Sequence, residues 1–142
     1  MKHGDLSNKI EENIIVHLDS LIGLKTLTKW EKLKLIFSNK AKKEVLQDVN
    51  RPLYNYVHRL INKSNYAVTL VTNNEQLFKY MDKQYDLFLP CGIIYAQDIN
   101  ELHKVFMYKN VSFFITEDDE YFNCGLPQAI TFEEFSQISG VK

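Results

Sequence analysis

The segment Asn13-Ile14-Ile15-Val16-His17-Leu18-Asp19-Ser20 constrains this chain most. Three β-branched residues in a row read as a buried strand, and the run ends on an acidic side chain. A parallel strand would deliver Asp19 to the carboxyl edge of its sheet, where open α/β sheets place their chemistry. The rest of the sequence is therefore read for strands that bring partners to that edge.

Such strands recur. Tyr66-Ala67-Val68-Thr69-Leu70-Val71-Thr72 is a second one, stopped by Asn73-Asn74. Around Pro90-Cys91-Gly92 lie two short apolar runs, Tyr85 to Leu89 and Ile93 to Tyr95, of which one or both are strands. Val111-Ser112-Phe113-Phe114-Ile115 runs directly into Thr116-Glu117-Asp118-Asp119-Glu120, and Gln128-Ala129-Ile130-Thr131-Phe132 reads as the last strand. Between them, Glu75 to Met81 and Ile99 to Tyr108 read as helices, the latter capped by Asp98 with Leu102, Val105 and Phe106 inward.

Residues 24–63 break this alternation. After Thr28, a plausible N-cap, Trp30, Leu33, Ile36 and Phe37 recur at helical spacing. A second helix follows from about Lys40 to Val49, with its lysines opposite Ala41, Val45, Leu46 and Val49. Pro52 restarts the chain, and Leu53, Val57, Leu60 and Ile61 form the stripe of a third helix. The expected fold is α/β: a three-layer, Rossmann-like parallel sheet in one domain, with a small helical insert after the first strand.

Composition narrows function by exclusion. With 142 residues and 45% hydrophobic content, the chain can bury one core. Seventeen basic against eighteen acidic residues create no overall field toward nucleic acid, which is not indicated. No apolar stretch approaches a membrane span, and Met1 to Asp5 lack the apolar core of a signal peptide, so a soluble, cytoplasmic protein without a membrane partner is expected. Cys91 and Cys124 have no CxxC spacing and read as reduced thiols. Five glycines provide no phosphate-binding loop, and His3, His58 and His103 are too scattered for a zinc site. Lys40, Lys42, Lys43 and Arg51 make a modest basic patch near Tyr54 and Tyr56 that reads as a solvated helix face.

Three polar clusters follow strands directly: Asp19, Thr72 with Asn73, and Asp118 with Asp119. Together with the closing Cys124-Gly125-Leu126-Pro127-Gln128-Ala129-Ile130-Thr131-Phe132, this pattern resembles the haloacid-dehalogenase-like (HAD) superfamily of phosphohydrolases over residues 13–135, apart from the insert. The resemblance implies an aspartate nucleophile, a second aspartate two residues on as acid/base, a hydroxyl after the second strand, Mg²⁺ between the acidic clusters and a lysine before the helix that precedes the last acidic strand. Setting His17-Leu18-Asp19-Ser20-Leu21 on the family's Asp-x-Asp-Gly-Thr puts His17 at the nucleophile position and Asp19 at the acid/base position. A shift of two makes Asp19 the nucleophile and leaves Leu21 in place of the acid/base, so one catalytic carboxylate is missing either way. Thr72 keeps the hydroxyl; Asp19, Asp118 and Asp119 would be the Mg²⁺ ligands; Tyr95-Ala96-Gln97-Asp98 has no lysine.

The bland alternatives are a strand-end histidine bonded to a neighbouring loop, for His17, and a solvated helix N-terminus, for Asp118 to Glu120. The expectation is a catalytically impaired HAD-like domain that serves as a binding or assembly module, its protein partner meeting Trp30, Phe37, Tyr54 and Tyr56 on the insert. The competing expectation is a Mg²⁺-dependent phosphohydrolase acting on a nucleotide or small phosphorylated metabolite. A composition rich in Lys, Asn, Ile, Tyr and Phe is compatible with a phage or other mobile element.

Overall fold

The computed structural model describes residues 12–23, 27–47, 51–63, 65–83, 91–124, 126 and 128–140. Among the described residues, five strands form one sheet: β1 (Glu12–His17), β2 (Tyr66–Thr72), β3 (Gly92–Tyr95), β4 (Val111–Ile115) and β5 (Ala129–Ile130). All four pairings are parallel, in the order β3-β2-β1-β4-β5. The helices are α1 (Leu18–Leu21), α2 (Lys29–Phe37), α3 (Asn39–Gln47), α4 (Arg51–Lys63), α5 (Glu75–Lys83), α6 (Ile99–Lys109), α7 (Asp119–Asn123) and α8 (Phe132–Ser139). This is the expected Rossmann-like α/β fold, with α2, α3 and α4 inserted between β1 and β2.

Successive strand side chains point to opposite faces, and two cores result. Ile14, Val16 and Leu70 pack with Tyr56, Val57 and Leu60 of α4, Leu77 and Met81 of α5 and Phe135 of α8. Ile15, Val71 and Phe114 pack on the other face with Leu102 and Phe106 of α6 and Tyr121 of α7. The sheet is therefore the middle of three layers. β1 lies at its centre, and its run Ile14 to Val16 is fully buried, which accounts for a continuous apolar strand rather than an alternating one.

Several boundaries are set by side-chain caps. Thr28 accepts from Glu31 N while Glu31 reaches back to Thr28 N, a capping box that starts α2. Asp98 accepts from Glu101 N at the start of α6. Gly23, at φ +61°, follows α1 in the left-handed conformation that glycine adopts without steric cost.

The last strand is a correction. Thr131 caps α8 through a second capping box with Glu134, so the chain turns helical at Phe132 and β5 keeps only two residues. Lys42 is a second one: it is buried, with Nζ 3.4 Å from Ile36 O at the end of α2 and 3.4 Å from Asn39 Oδ1 at the start of α3, rather than on a solvated face. Desolvation lowers its pKa. Tyr85 to Leu89 lie outside the described residues, as does Val49.

Candidate functional site

Strand register explains why the polar tips meet. His17 pairs with Val71 on one side, and Val16 pairs with Ile115 on the other, so Thr72 and Thr116 both begin where β1 ends. The order 3-2-1-4-5 also puts the topological switch between β1 and β4, whose connections run to opposite sides of the sheet. A crevice outside the carboxyl ends at such a point is where open α/β sheets bind ligands.

A cavity of about 440 Å³ opens there, lined by His17, Asp19 and Ser20 after β1, Asn73 after β2, Gln97 to Ile99 before α6, and Glu117, Asp118, Glu120 and Tyr121 after β4. Its volume falls within the range of about 300–1,000 Å³ common for ligand pockets. Among the described residues, five acidic ones line it, Asp19, Asp98, Glu117, Asp118 and Glu120, and no lysine or arginine does.

The floor is a closed hydrogen-bond network. Asp19, at the start of α1, accepts at Oδ1 from the Thr72 hydroxyl (2.5 Å) and at Oδ2 from Asn73 N (3.0 Å). Thr72 Oγ1 in turn accepts from Asn74 N, which orders the turn into α5. Asn73 donates from Nδ2 to Ala96 O (2.9 Å), so its Oδ1 faces His17 and Tyr121. Because an amide oxygen only accepts, His17 Nε2 carries a proton and donates it across 2.8 Å. Tyr121 donates its hydroxyl to the same oxygen (3.1 Å).

The other imidazole nitrogen is engaged as well. His17 Nδ1 lies 2.8 Å from Ser20 Oγ and 2.9 Å from Thr116 Oγ1, and these oxygens are 3.1 Å apart. Ser20 Oγ also accepts from Glu117 N, and Thr116 Oγ1 from Asp118 N. With Nδ1 unprotonated, the two hydroxyl protons both find acceptors within this triangle; with Nδ1 protonated, one of them is left over. Asn73 thus assigns a proton to Nε2, and the Ser20–Thr116 triangle uses all its hydroxyl protons internally when Nδ1 is bare. His17 Nε2 is 3.9 Å from Asp19 Oδ2, beyond hydrogen-bond reach.

Aromatic rings close the back of the site. His17 stands edge-on to Tyr121 (5.1 Å, 80°) and Tyr121 edge-on to Phe114 (4.9 Å, 87°). Burial pushes the Tyr121 hydroxyl up to about 12, and the charges of Asp118, Asp19 and Glu120 add to the effect. The phenol is thus a fixed donor at neutral pH.

The residues expected from sequence divide as follows. Asp19, His17, Thr72 and Asp118 converge on one rim; Asp118 caps α7 through Glu120 N (3.0 Å), and Asp119 is exposed on the first turn of α7. Both Asp19 oxygens and Asp118 Oδ1 already accept hydrogen bonds, and among the described residues no group of three or more His, Cys, Asp or Glu side chains is placed to hold a metal ion.

On the insert, Trp30 is 63% and Phe37 78% exposed. Tyr56 is 8% exposed and packs edge-on against Phe132, so it belongs to the core rather than to a contact surface. The backbone of Tyr54 is in α4, and its side chain lies outside what is described. Sequence reasoning missed Ser20, Thr116 and Tyr121. Thr116 could have been found as the first polar residue after Phe114-Ile115; Tyr121 gives no local signal.

Comparison with family models, with curated proteins and with solved structures finds no match.

Proposed function

We propose that this chain is a catalytically impaired HAD-like α/β domain that works as a binding or assembly module. The observation that carries this reading is His17. It stands where the resembling family has its nucleophile, it is 2% exposed, and both ring nitrogens are held in hydrogen bonds. A nitrogen engaged in this way presents no lone pair for in-line attack on phosphorus. Thr72, whose hydroxyl would otherwise meet a phosphoryl oxygen, gives its proton to Asp19 instead. Among the described residues the lining offers a phosphate dianion five acidic side chains and no lysine or arginine as countercharge.

The partner surface on this reading is α2, where Trp30 and Phe37 stand free of the core. The proposed setting is cytoplasmic, and the composition suits a phage or other mobile element. The second reading, a phosphohydrolase using Asp19 with Mg²⁺, is favoured by one fact: Asp19 and Asp118 line the same cavity. Release of phosphate from a generic aryl phosphate, with and without Mg²⁺, separates the two. The proposal expects no release above buffer from either the native chain or Asp19→Asn. Mg²⁺-dependent release that Asp19→Asn abolishes would overturn it.

A further inference from the structure

The side of α2 that faces away from the molecule is apolar. Leu35 is its buried residue, whereas Trp30, Leu33 and Phe37, at i, i+3 and i+7, lie about half a turn away from Leu35 and form an outward ridge. Ile36 extends the ridge on one side, 46% exposed. Lysines frame it: residues 29–43 contain six (Lys29, Lys32, Lys34, Lys40, Lys42, Lys43) and one acid, Glu31, a local charge of +5 in a chain whose net charge is -1. Every one of these lysines except Lys42 is exposed, and Lys34 Nζ lies 5.5 Å over the Trp30 ring.

The cavity at the sheet edge is its complement in shape and in charge. It is concave where the ridge is convex, its described lining holds five acidic residues against no lysine or arginine, and Ile99 and Tyr121 supply apolar surface. Two copies meeting ridge to ridge would set lysine against lysine, and two meeting pocket to pocket would set carboxylate against carboxylate. Ridge to pocket brings opposite charges together and buries the aromatic anchor.

We infer that the occupant of the α2 ridge is the sheet-edge pocket of a second copy of this chain, in a head-to-tail contact. The inference rests on the assembly-module reading and names its partner. A contact of this kind is heterologous, so each copy keeps one free ridge or one free pocket and the assembly continues to a ring or a filament. Screening by salt weakens it, because the charges sit around the rim of the contact.

The sole tryptophan of the chain is Trp30, so its emission reports on the ridge alone. Sedimentation velocity of the full chain over a concentration series, at low and at high salt, is read together with that emission. At low salt the expected result is growth of larger species with concentration and a blue shift of Trp30, both lost at high salt. Trp30→Ala and Glu120→Lys each alter an exposed side chain, fold like the native chain by circular dichroism, and are each expected to stay monomeric. Mixed in equal amounts they form a dimer and nothing larger, since one contributes an intact pocket and the other an intact ridge. A native chain that stays monomeric to its solubility limit overturns the inference, as does association of Glu120→Lys alone or a mixture that does not pair. Monomeric protein without phosphatase activity removes this contact only, whereas phosphate release removes the reading beneath it.

Discussion

His17 Nε2 and Asn73 Oδ1 are 2.8 Å apart, joining the tips of the two neighbouring strands β1 and β2 through their side chains. Asn73 also accepts from Tyr121 and donates to Ala96 O, so one amide links four segments of the sheet edge. Asn73→Ala is expected to strand the His17 and Tyr121 donors and to destabilise the fold by about 1–3 kcal/mol. Urea denaturation at neutral pH measures it. A cost near zero would mean that the network contributes nothing to holding the strand tips together.

Thr72 provides a sharper contrast. Its hydroxyl donates to the Asp19 carboxylate and accepts from Asn74 N, both inside a residue with no exposed surface. Thr72→Val keeps the shape and removes both bonds, with an expected loss of about 1.5–3 kcal/mol because the acceptor is charged. Thr72→Ser keeps the hydroxyl and should lose less than the valine variant. Equal losses in the two variants would place the effect in packing rather than in the hydrogen bond.

Alkaline pH should unfold this protein through its buried phenols. Burial pushes Tyr56 and Tyr121 up to about 12, against an ordinary value of 10.0. Between those values the unfolded chain has released protons that the fold retains, so stability is intact below pH 10 and falls as pH rises toward 12. A two-unit shift corresponds to a loss on the order of 3 kcal/mol for each tyrosine. Denaturation curves across this range should show the fall, and Tyr121→Phe should make it shallower.

The two thiols should differ in reactivity. Burial raises the Cys91 thiol to about 11, which keeps it out of the reactive thiolate form near neutral pH, whereas Cys124 is exposed. Iodoacetamide should alkylate Cys124 faster than the half-buried Cys91 in the native protein, a difference that denaturation removes, as peptide mass mapping would show. Faster labelling of Cys91 would contradict its burial.

Much of the sheet was legible because parallel strands buried on both faces read as apolar runs: Tyr66 to Thr72 and Val111 to Ile115 have the bounds their sequences indicate. Residues at the ends of such runs were legible too, because parallel strands deliver them to one edge: Asp19, Thr72 and Asp118 each lie at or just past the end of a strand. The direction a helix faces was not. Periodicity puts Trp30, Leu33 and Phe37 on one side of α2, yet the body of the protein takes Leu35 instead, a choice made by tertiary contacts. Lys42 misled for a related reason: its stem packs inward while its ammonium group meets the carbonyl end of α2. Ser20 meets His17 locally, three residues on, whereas Thr116 became the partner of both through the register of β1 against β4, which joins residues 96 and 99 positions apart that no local pattern connects.

The groups of the polar rim are committed to one another, with His17 as their hub. Long-range ¹H–¹⁵N correlation of the imidazole, at mildly alkaline pH where free imidazole is neutral, tests this most directly. The predicted result is a single tautomer for His17, with Nε2 protonated and Nδ1 bare. A Nδ1-protonated ring, or an average of both forms, would contradict it, for then Asn73 would not hold His17 and the network would not be closed.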